Sequence, residues 1–251
     1  MSKQISIIIA TYNAGKTLRQ CLESIIPQKG EEIELVVIDG NSTDNTLHII
    51  KQYHEHIDYY ISESDNGIYD AWNKGIIASS ANWIMFLGAD DELKPGALND
   101  YLNYISGTDD IDSFDYICAQ NKYVRFDGSF IKIIGKEPSW KNMKYYMAAA
   151  HVASLHNRKK LFDEVGLYNT QYSICADYEL LLRKRDVLKY KFLSGHIMAN
   201  MCEGGMSMSS RALFQTYQIR KEHHTLTGII NLVTFLKSLL CYKFYNYTKG
   251  D

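Results

Sequence analysis

The chain has 251 residues, 46% of them hydrophobic and 22% charged, with 3 prolines and a formal net charge of -2. Such a length buries a sizeable core in one α/β domain with a C-terminal extension, and the composition excludes a linker or a disordered segment. The charge balance argues against a general nucleic-acid binder. The five cysteines, Cys21, Cys118, Cys175, Cys202 and Cys241, are odd in number and contain no C-x-x-C pair, so they read as the reduced thiols of a cytoplasmic protein.

Ile5 to Ala10 is a short apolar strand, entered almost at once after Met-Ser-Lys-Gln, so no secretory signal peptide is expected. Leu18, Cys21, Leu22 and Ile25 then recur at helical spacing. Between them, Ala10 to Thr17 matches a phosphate-binding P-loop except at its first glycine, which is Ala10 here. The missing glycine and the bulk of Tyr12 leave less room for a backbone cradle, and Gly15-Lys16-Thr17 reads as a helix start. Glu34 to Asp39 is a second β-branched strand, followed by a helix through Leu47, Ile49 and Ile50. Asp44 suits a helix cap. Residues 57–62 read as a third strand, 68–78 as a helix, and 83–87 as a fourth strand that stops at Asp90 and Asp91.

Strands alternating with helices imply βαβ units, a parallel sheet and right-handed crossovers. Each strand ends in polar residues, at Thr11-Tyr12-Asn13, at Asp39-Gly40-Asn41, at 63–65 and at Asp90-Asp91, and those ends are expected to converge in one crevice. Two adjacent acids at a strand end suit a hard cation, and equally suit the start of a turn. Further on, 115–126 and 129–134 read as two strands joined by Asp127-Gly128, a hairpin signal. Nineteen tyrosines leave two uses open, packing and platforms for sugars or membrane interfaces. The apolar and aromatic tail over 226–247 carries lysines and lacks the ~20 uninterrupted apolar residues of a spanning helix. It fits an interfacial helix, or one packed on the domain or on a second subunit.

Four segments, Ile7 to Asn13, Val36 to Thr46, Ser64 to Gly75 and Leu87 to Asp91, together resemble the ordered motifs of family 2 glycosyltransferases. The resemblance implies a single GT-A-type α/β domain over 1–210, with a mostly parallel central sheet flanked by helices and a small antiparallel addition. Its nucleotide-sugar half would cover about 1–110 and its acceptor half about 111–210, with a helical extension over 211–251, membrane-associated or dimerising. It implies nucleotide-sugar contacts from Thr11, Tyr12, Asn13, Asp39, Asp65, Asn73, Lys74 and Asp90. The family's D-x-D metal motif falls on Gly88-Ala89-Asp90, so its first acid is absent, and Asp90, with Asp91 second, is expected to hold Mn2+ or Mg2+.

The family inverts the anomeric centre, which calls for a base on the acceptor side. Asp177, in a stretch like the family's acid-aromatic-acid-leucine run, is the candidate, with Glu179 close by; an N-cap is its plainer role. His151 and His156 suit either the acceptor pocket or the core, Glu203 to Ser207 resembles a glycine pair near the active-site lid, and Arg211 suits a phosphate contact or an ordinary surface position. The resemblance thus implies a metal-dependent enzyme using a UDP-sugar and a carbohydrate or lipid-linked acceptor in surface-polysaccharide assembly, cytoplasmic and at the inner face of the plasma membrane. The competing readings are a nucleotidyltransferase or P-loop phosphotransferase, and a catalytically silent nucleotide- or sugar-binding domain.

Overall fold

The computed structural model describes residues 2–205 and 209–249, with the side chains of the last helix described as far as Phe244. Four parallel strands open the fold: β1 (Ile5–Thr11), β2 (Ile33–Asp39), β3 (Tyr59–Ser62) and β4 (Trp83–Gly88), in the spatial order β3-β2-β1-β4. The crossovers are α1 (Leu18–Ile25), α2 (Thr46–Gln52) and α3 (Ile68–Ala78). Both faces of β1 and β2 are covered, which is why these strands read as continuous apolar runs. Ile5, Ile7, Ile9, Leu35 and Val37 meet Leu18, Leu22 and Ile25 of α1 on one side. Ile8, Val36, Ile38 and Phe86 meet Tyr69, Trp72 and Ile76 of α3 on the other.

Beyond β4 the sheet becomes mixed. The elements that follow are β5 (Glu92–Leu93), α4 (Ala97–Ser106), β6 (Tyr116–Val124), β7 (Phe130–Ile134), α5 (Trp140–Met143) and β8 (Leu155–Asn157). Then come α6 (Ala176–Leu182), β9 (Tyr190–Cys202), α7 (Ser210–Glu222) and α8 (Gly228–Lys249). β8 runs antiparallel to β4 and to β6, β9 runs parallel to β6, and β5 closes antiparallel on β9. The expected hairpin is present: β7 pairs with β6 around a turn in which Gly128 adopts a φ of 79°.

The third strand starts at Tyr59 rather than at residue 57. β5, β8, β9 and α4 have no counterpart in the sequence reading. β5 and β8 are too short to show a period, and β9 is broken by a register shift between the Cys118–Phe192 and Gln120–Ile197 pairs, where Gly195 has a φ of 84°. α7 contributes Ala212 and Ile219 to the core shared by α3 and α6.

Gly75 fixes how closely α3 approaches β1, because a Cβ there would lie 2.4 Å from Ile8 Cγ2. Overpacking costs about 1–3 kcal/mol and outweighs the ~1 kcal/mol that alanine adds to helix propensity. Gly75→Ala is therefore expected to lower the urea midpoint of unfolding; an unchanged or raised midpoint would show that α3 can shift freely.

Candidate functional site

Strand register assembles the crevice. Thr11 pairs with Asp39, Asp39 with Ser62, and Ala10 with Gly88, so the C-terminal ends of all four parallel strands lie along one edge of the sheet. Asp39 is fully buried there, and its carboxylate accepts from the Ser42 N–H (2.9 Å), the Ser42 hydroxyl (2.5 Å) and the Ser62 hydroxyl (2.6 Å). Gly40 follows, and a Cβ on it would lie 2.6 Å from Asp65 Oδ2 and 3.4 Å from Tyr12 Cδ2. The missing side chain thus lets the Asp65 carboxylate and the Tyr12 ring close over the end of β2. Tyr12 is 66% exposed and presents an aromatic face. Thr11 Oγ1 is buried without a protein hydrogen-bond partner.

The segment that half-matches a P-loop cannot cradle a phosphate. The N–H groups of Asn13, Ala14 and Gly15 donate to Ser42 Oγ (2.8 Å), Thr46 Oγ1 (2.9 Å) and Asp44 Oδ2 (3.0 Å). A carboxylate already occupies the donor nest that a phosphate would need. Asp44 also accepts from the Thr46 N–H, so it steadies the start of α2. Asn13 completes this join by accepting from the Thr43 N–H at 2.9 Å.

Two residues expected among the nucleotide-sugar contacts, Asn73 and Lys74, bond to the protein. Asn73 donates to the Tyr168 carbonyl (3.0 Å) and accepts from the Tyr168 N–H (2.9 Å), so its amide is spent on the backbone of the second half. Lys74 donates to the Ser64 carbonyl and pairs with Glu63, both at 2.9 Å, which holds the loop before Asp65.

The two acids after β4 differ in burial but crowd the same place: a Cβ on Gly88 would lie 2.6 Å from Asp91 Oδ2 and 2.8 Å from Asp90 Oδ1. Asp91 is buried, and its two oxygens accept from the N–H groups of Gly88 and Cys202, each at 3.1 Å. Asp90 is exposed and, with Asp91, lines a cavity of about 440 Å³ together with Asp177, Trp72, His151 and Cys202. Among the described residues no group of three His, Cys, Asp or Glu side chains could hold a metal ion. The donor set still fits one: Mg2+-type sites commonly use one or two carboxylates and complete their shell with substrate phosphates and water. Asp90 is the exposed carboxylate of the pair, and Asp91 behind it already accepts one backbone hydrogen bond on each oxygen.

On the far side of the cavity, Asp177 lies in the first turn of α6, where Cys175 rather than Asp177 is the N-cap. The Tyr69 hydroxyl lies 3.0 Å from Asp177 Oδ1 and donates to the Ile174 carbonyl. Burial raises the Asp177 carboxyl above its ordinary value, partly offset by the Tyr178 backbone and the Tyr69 hydroxyl. Glu179, its neighbour, is tied instead to Arg183 and His223, and Arg183 also caps the carbonyls of Val165, Gly166 and Leu167. Arg211 is exposed on α7, Gly205 lines the cavity, and Met206 and Ser207 lie outside the described residues.

Behind the cavity wall runs a proton-ordered chain. The Ile84 carbonyl can only accept, so His156 Nδ1 carries a hydrogen and donates to it at 3.2 Å. A neutral His156 then accepts at Nε2 from His151 Nδ1 (3.2 Å), and His151 Nε2 accepts from the Tyr168 hydroxyl (3.2 Å). Burial keeps both rings neutral, lowering His151 to about 3 and His156 well below its ordinary value. Trp72 and Phe86 pack on His151 at 5.0 and 5.2 Å between ring centroids. His151 thus lines the cavity and His156 belongs to the core. Tyr69, Trp72 and Tyr168 went unmarked in the sequence; the i, i+3 pair Tyr69 and Trp72 on the helix after Asp65 was the available signal.

A parallel nucleotide-side sheet, a mixed extension and a crevice between them define the GT-A glycosyltransferase fold. The same fold is found in S. aureus TarS 1-349 in complex with UDP-GlcNAc, with a TM-score of 0.71 and 18% identity over 96% of this chain and 73% of that one. It is also found in the mannosyltransferase PcManGT of Pyrobaculum calidifontis in complex with GDP-Man and Mn2+, with a TM-score of 0.63 and 13% identity over 96% and 75%. The model of glycosyl transferase family 2 matches residues 6–156, and the chain belongs to that family. A PGL/p-HBAD biosynthesis glycosyltransferase of Mycobacterium bovis is 30% identical over 183 residues, 71% of this chain and 68% of the relative. The chain spans 43% of the longer TarS chain.

Burial, joined by the charge of Asp90, pushes the Asp91 carboxyl from 3.8 to about 8. Its folded value lies above its unfolded one, so the associated stability is present at low pH and is lost as pH rises toward 8. With chelator present, the wild-type denaturation midpoint is expected to fall between about pH 5 and pH 8 more steeply than that of Asp91→Asn. Parallel pH profiles would contradict the buried placement.

Proposed function

We propose that this protein is an inverting glycosyltransferase that moves a sugar from a nucleoside-diphosphate sugar, of the UDP class, to a carbohydrate or lipid-linked acceptor. The observation that carries this is one cavity bordered by Asp90, at the end of the nucleotide-side sheet, and by Asp177, on the opposite wall. Residues 1–110 serve as the donor half and 111–210 as the acceptor half. Tyr12, Thr11, Asp39 and Asp65 form the nucleoside end, where an aromatic face and buried oxygens suit a base that offers both a π-surface and an N–H. The UDP-GlcNAc and UDP complexes of TarS support a UDP-sugar.

In the reaction the acceptor hydroxyl oxygen attacks the anomeric carbon as its proton passes to Asp177. The bond from that carbon to the diphosphate oxygen breaks on the opposite face, its electron pair leaving with the nucleoside diphosphate, and the configuration inverts. A divalent cation held by Asp90, the diphosphate and water, Mn2+ or Mg2+, would neutralise the charge that builds on the leaving group. The role in surface-polysaccharide assembly and the cytoplasmic location at the inner face of the plasma membrane belong to the same proposal. The closed nest at Asn13 to Gly15 weighs against a P-loop phosphotransferase.

Thermal unfolding with UDP, GDP and ATP, each with and without Mn2+, tests the donor site. A native-state ligand at a hundredfold excess over its Kd stabilises by roughly 2.7 kcal/mol. UDP is expected to stabilise only with Mn2+, and Asp90→Asn to abolish the shift; stabilisation by ATP alone would reverse the assignment.

Asp177→Asn is expected to cut turnover by roughly 10²–10⁴ while UDP binding survives. Because Asp177 titrates above the ordinary carboxylate range, activity should fall as pH drops through that raised value. Near-full turnover in folded Asp177→Asn would sink its role as base, and a variant that binds UDP in a protein without any turnover would favour the silent binding domain.

A further inference from the structure

The last helix carries an apolar face that none of the described residues covers. Ile229, Val233, Leu236, Leu240 and Phe244 are all exposed, and at 3.6 residues per turn they fall on one stripe of α8. The opposite face does the packing. Asn231 is buried there, bonded to Arg220 Nε (2.8 Å) and to the Tyr217 carbonyl (3.0 Å), and Phe235 meets Tyr217 at 5.1 Å between centroids.

Charge decides what the stripe meets. In a chain of net charge -2, the 22 residues of α8 include three lysines and neither Asp nor Glu. Lys237 and Lys243 are exposed and fall roughly 60° to either side of the stripe's midline, one on each border. Long lysine stems at both edges of an apolar stripe let the side chains reach outward while the stripe is immersed, which suits a helix lying flat on an anionic surface. Among the described residues no helix is long and apolar enough to cross a membrane.

The same helix is tied to the acceptor side of the cavity. Arg220, buried, donates to the Tyr145 carbonyl (2.5 Å) as well as to Asn231, and Thr225 donates to the Lys144 carbonyl (3.0 Å). From Tyr145 the chain runs directly into Met147 to Ala150, an apolar wall of the cavity.

We infer that α8 docks flat on a bilayer containing anionic lipid, with Ile229, Val233, Leu236, Leu240 and Phe244 immersed and Lys237 and Lys243 on lipid headgroups, so that the acceptor side of the cavity opens toward the membrane. This deepens the glycosyltransferase proposal by making the acceptor membrane-borne, and it rests on that proposal for its purpose. Its test needs no turnover, so the two fail separately.

The full chain is sedimented with vesicles of phosphatidylcholine alone and of equimolar phosphatidylcholine and phosphatidylglycerol. Binding is expected to the anionic vesicles and to weaken with salt. At about 1 kcal/mol per lysine, Lys237→Ser with Lys243→Ser should weaken partitioning roughly 30-fold. Leu236→Ser with Leu240→Ser should abolish it; both sites are exposed, and an unchanged thermal unfolding midpoint without ligand would confirm folding of each variant. Equal binding to both vesicle types, or variants that bind as wild type, would overturn the inference. So would absence of vesicle binding combined with a dimer that Leu236→Ser and Leu240→Ser dissociate, since the face would then join two copies of this chain.

Discussion

The crevice depends on the Asp91 carboxylate. By accepting from Gly88 and Cys202 it fastens the end of β4 to the end of β9, joining the nucleotide-side strands to the long strand of the second half. A buried backbone N–H without an acceptor is costly, so each of these bonds constrains its strand. Both acids line the cavity, Asp91 as the buried one and Asp90 as the exposed one. Burial raises both above their ordinary values, and for Asp91 the charge of Asp90 adds to it, a strain that a cation or a bound proton would relieve.

A second set of contacts joins the halves across the cavity floor. α3 leaves the parallel strands and sends Tyr69 to Asp177, Asn73 to the Tyr168 backbone, and Trp72 against His151. The proposed base is thereby positioned by a residue of the donor half, so closure of one half on the other and placement of the base are a single packing event. The neutral histidine chain behind it supplies polar partners to Tyr168 without placing a charge under the site. A charged ring there would have to be desolvated, which is why burial holds both histidines neutral.

Much of the donor half was legible because its signals are local. Apolar runs of period-free β-branched residues, helical spacing in α1 and acids at strand ends are all written within ten residues of one another, and parallel pairing brings those ends together by rule. The second half is non-local. β9 pairs with β6 across about seventy residues, its pattern is broken at Gly195, and its partner residues alternate with lysines and polar groups. Nothing in a short window distinguishes such a strand from a loop.

By itself, then, the sequence determined the α/β alternation, the crevice at the strand ends, the hairpin at Gly128 and the family motifs, because each follows from spacing along the chain. The tertiary structure alone decided which of two adjacent acids is buried and that Asn73 and Lys74 bond to the protein. It also decided that the P-loop-like N–H groups are already occupied and that one face of α8 is left bare. Most of those outcomes depend on partners ten to more than a hundred residues away, and a hydrogen bond or a buried face exists only once the fold has brought both sides together.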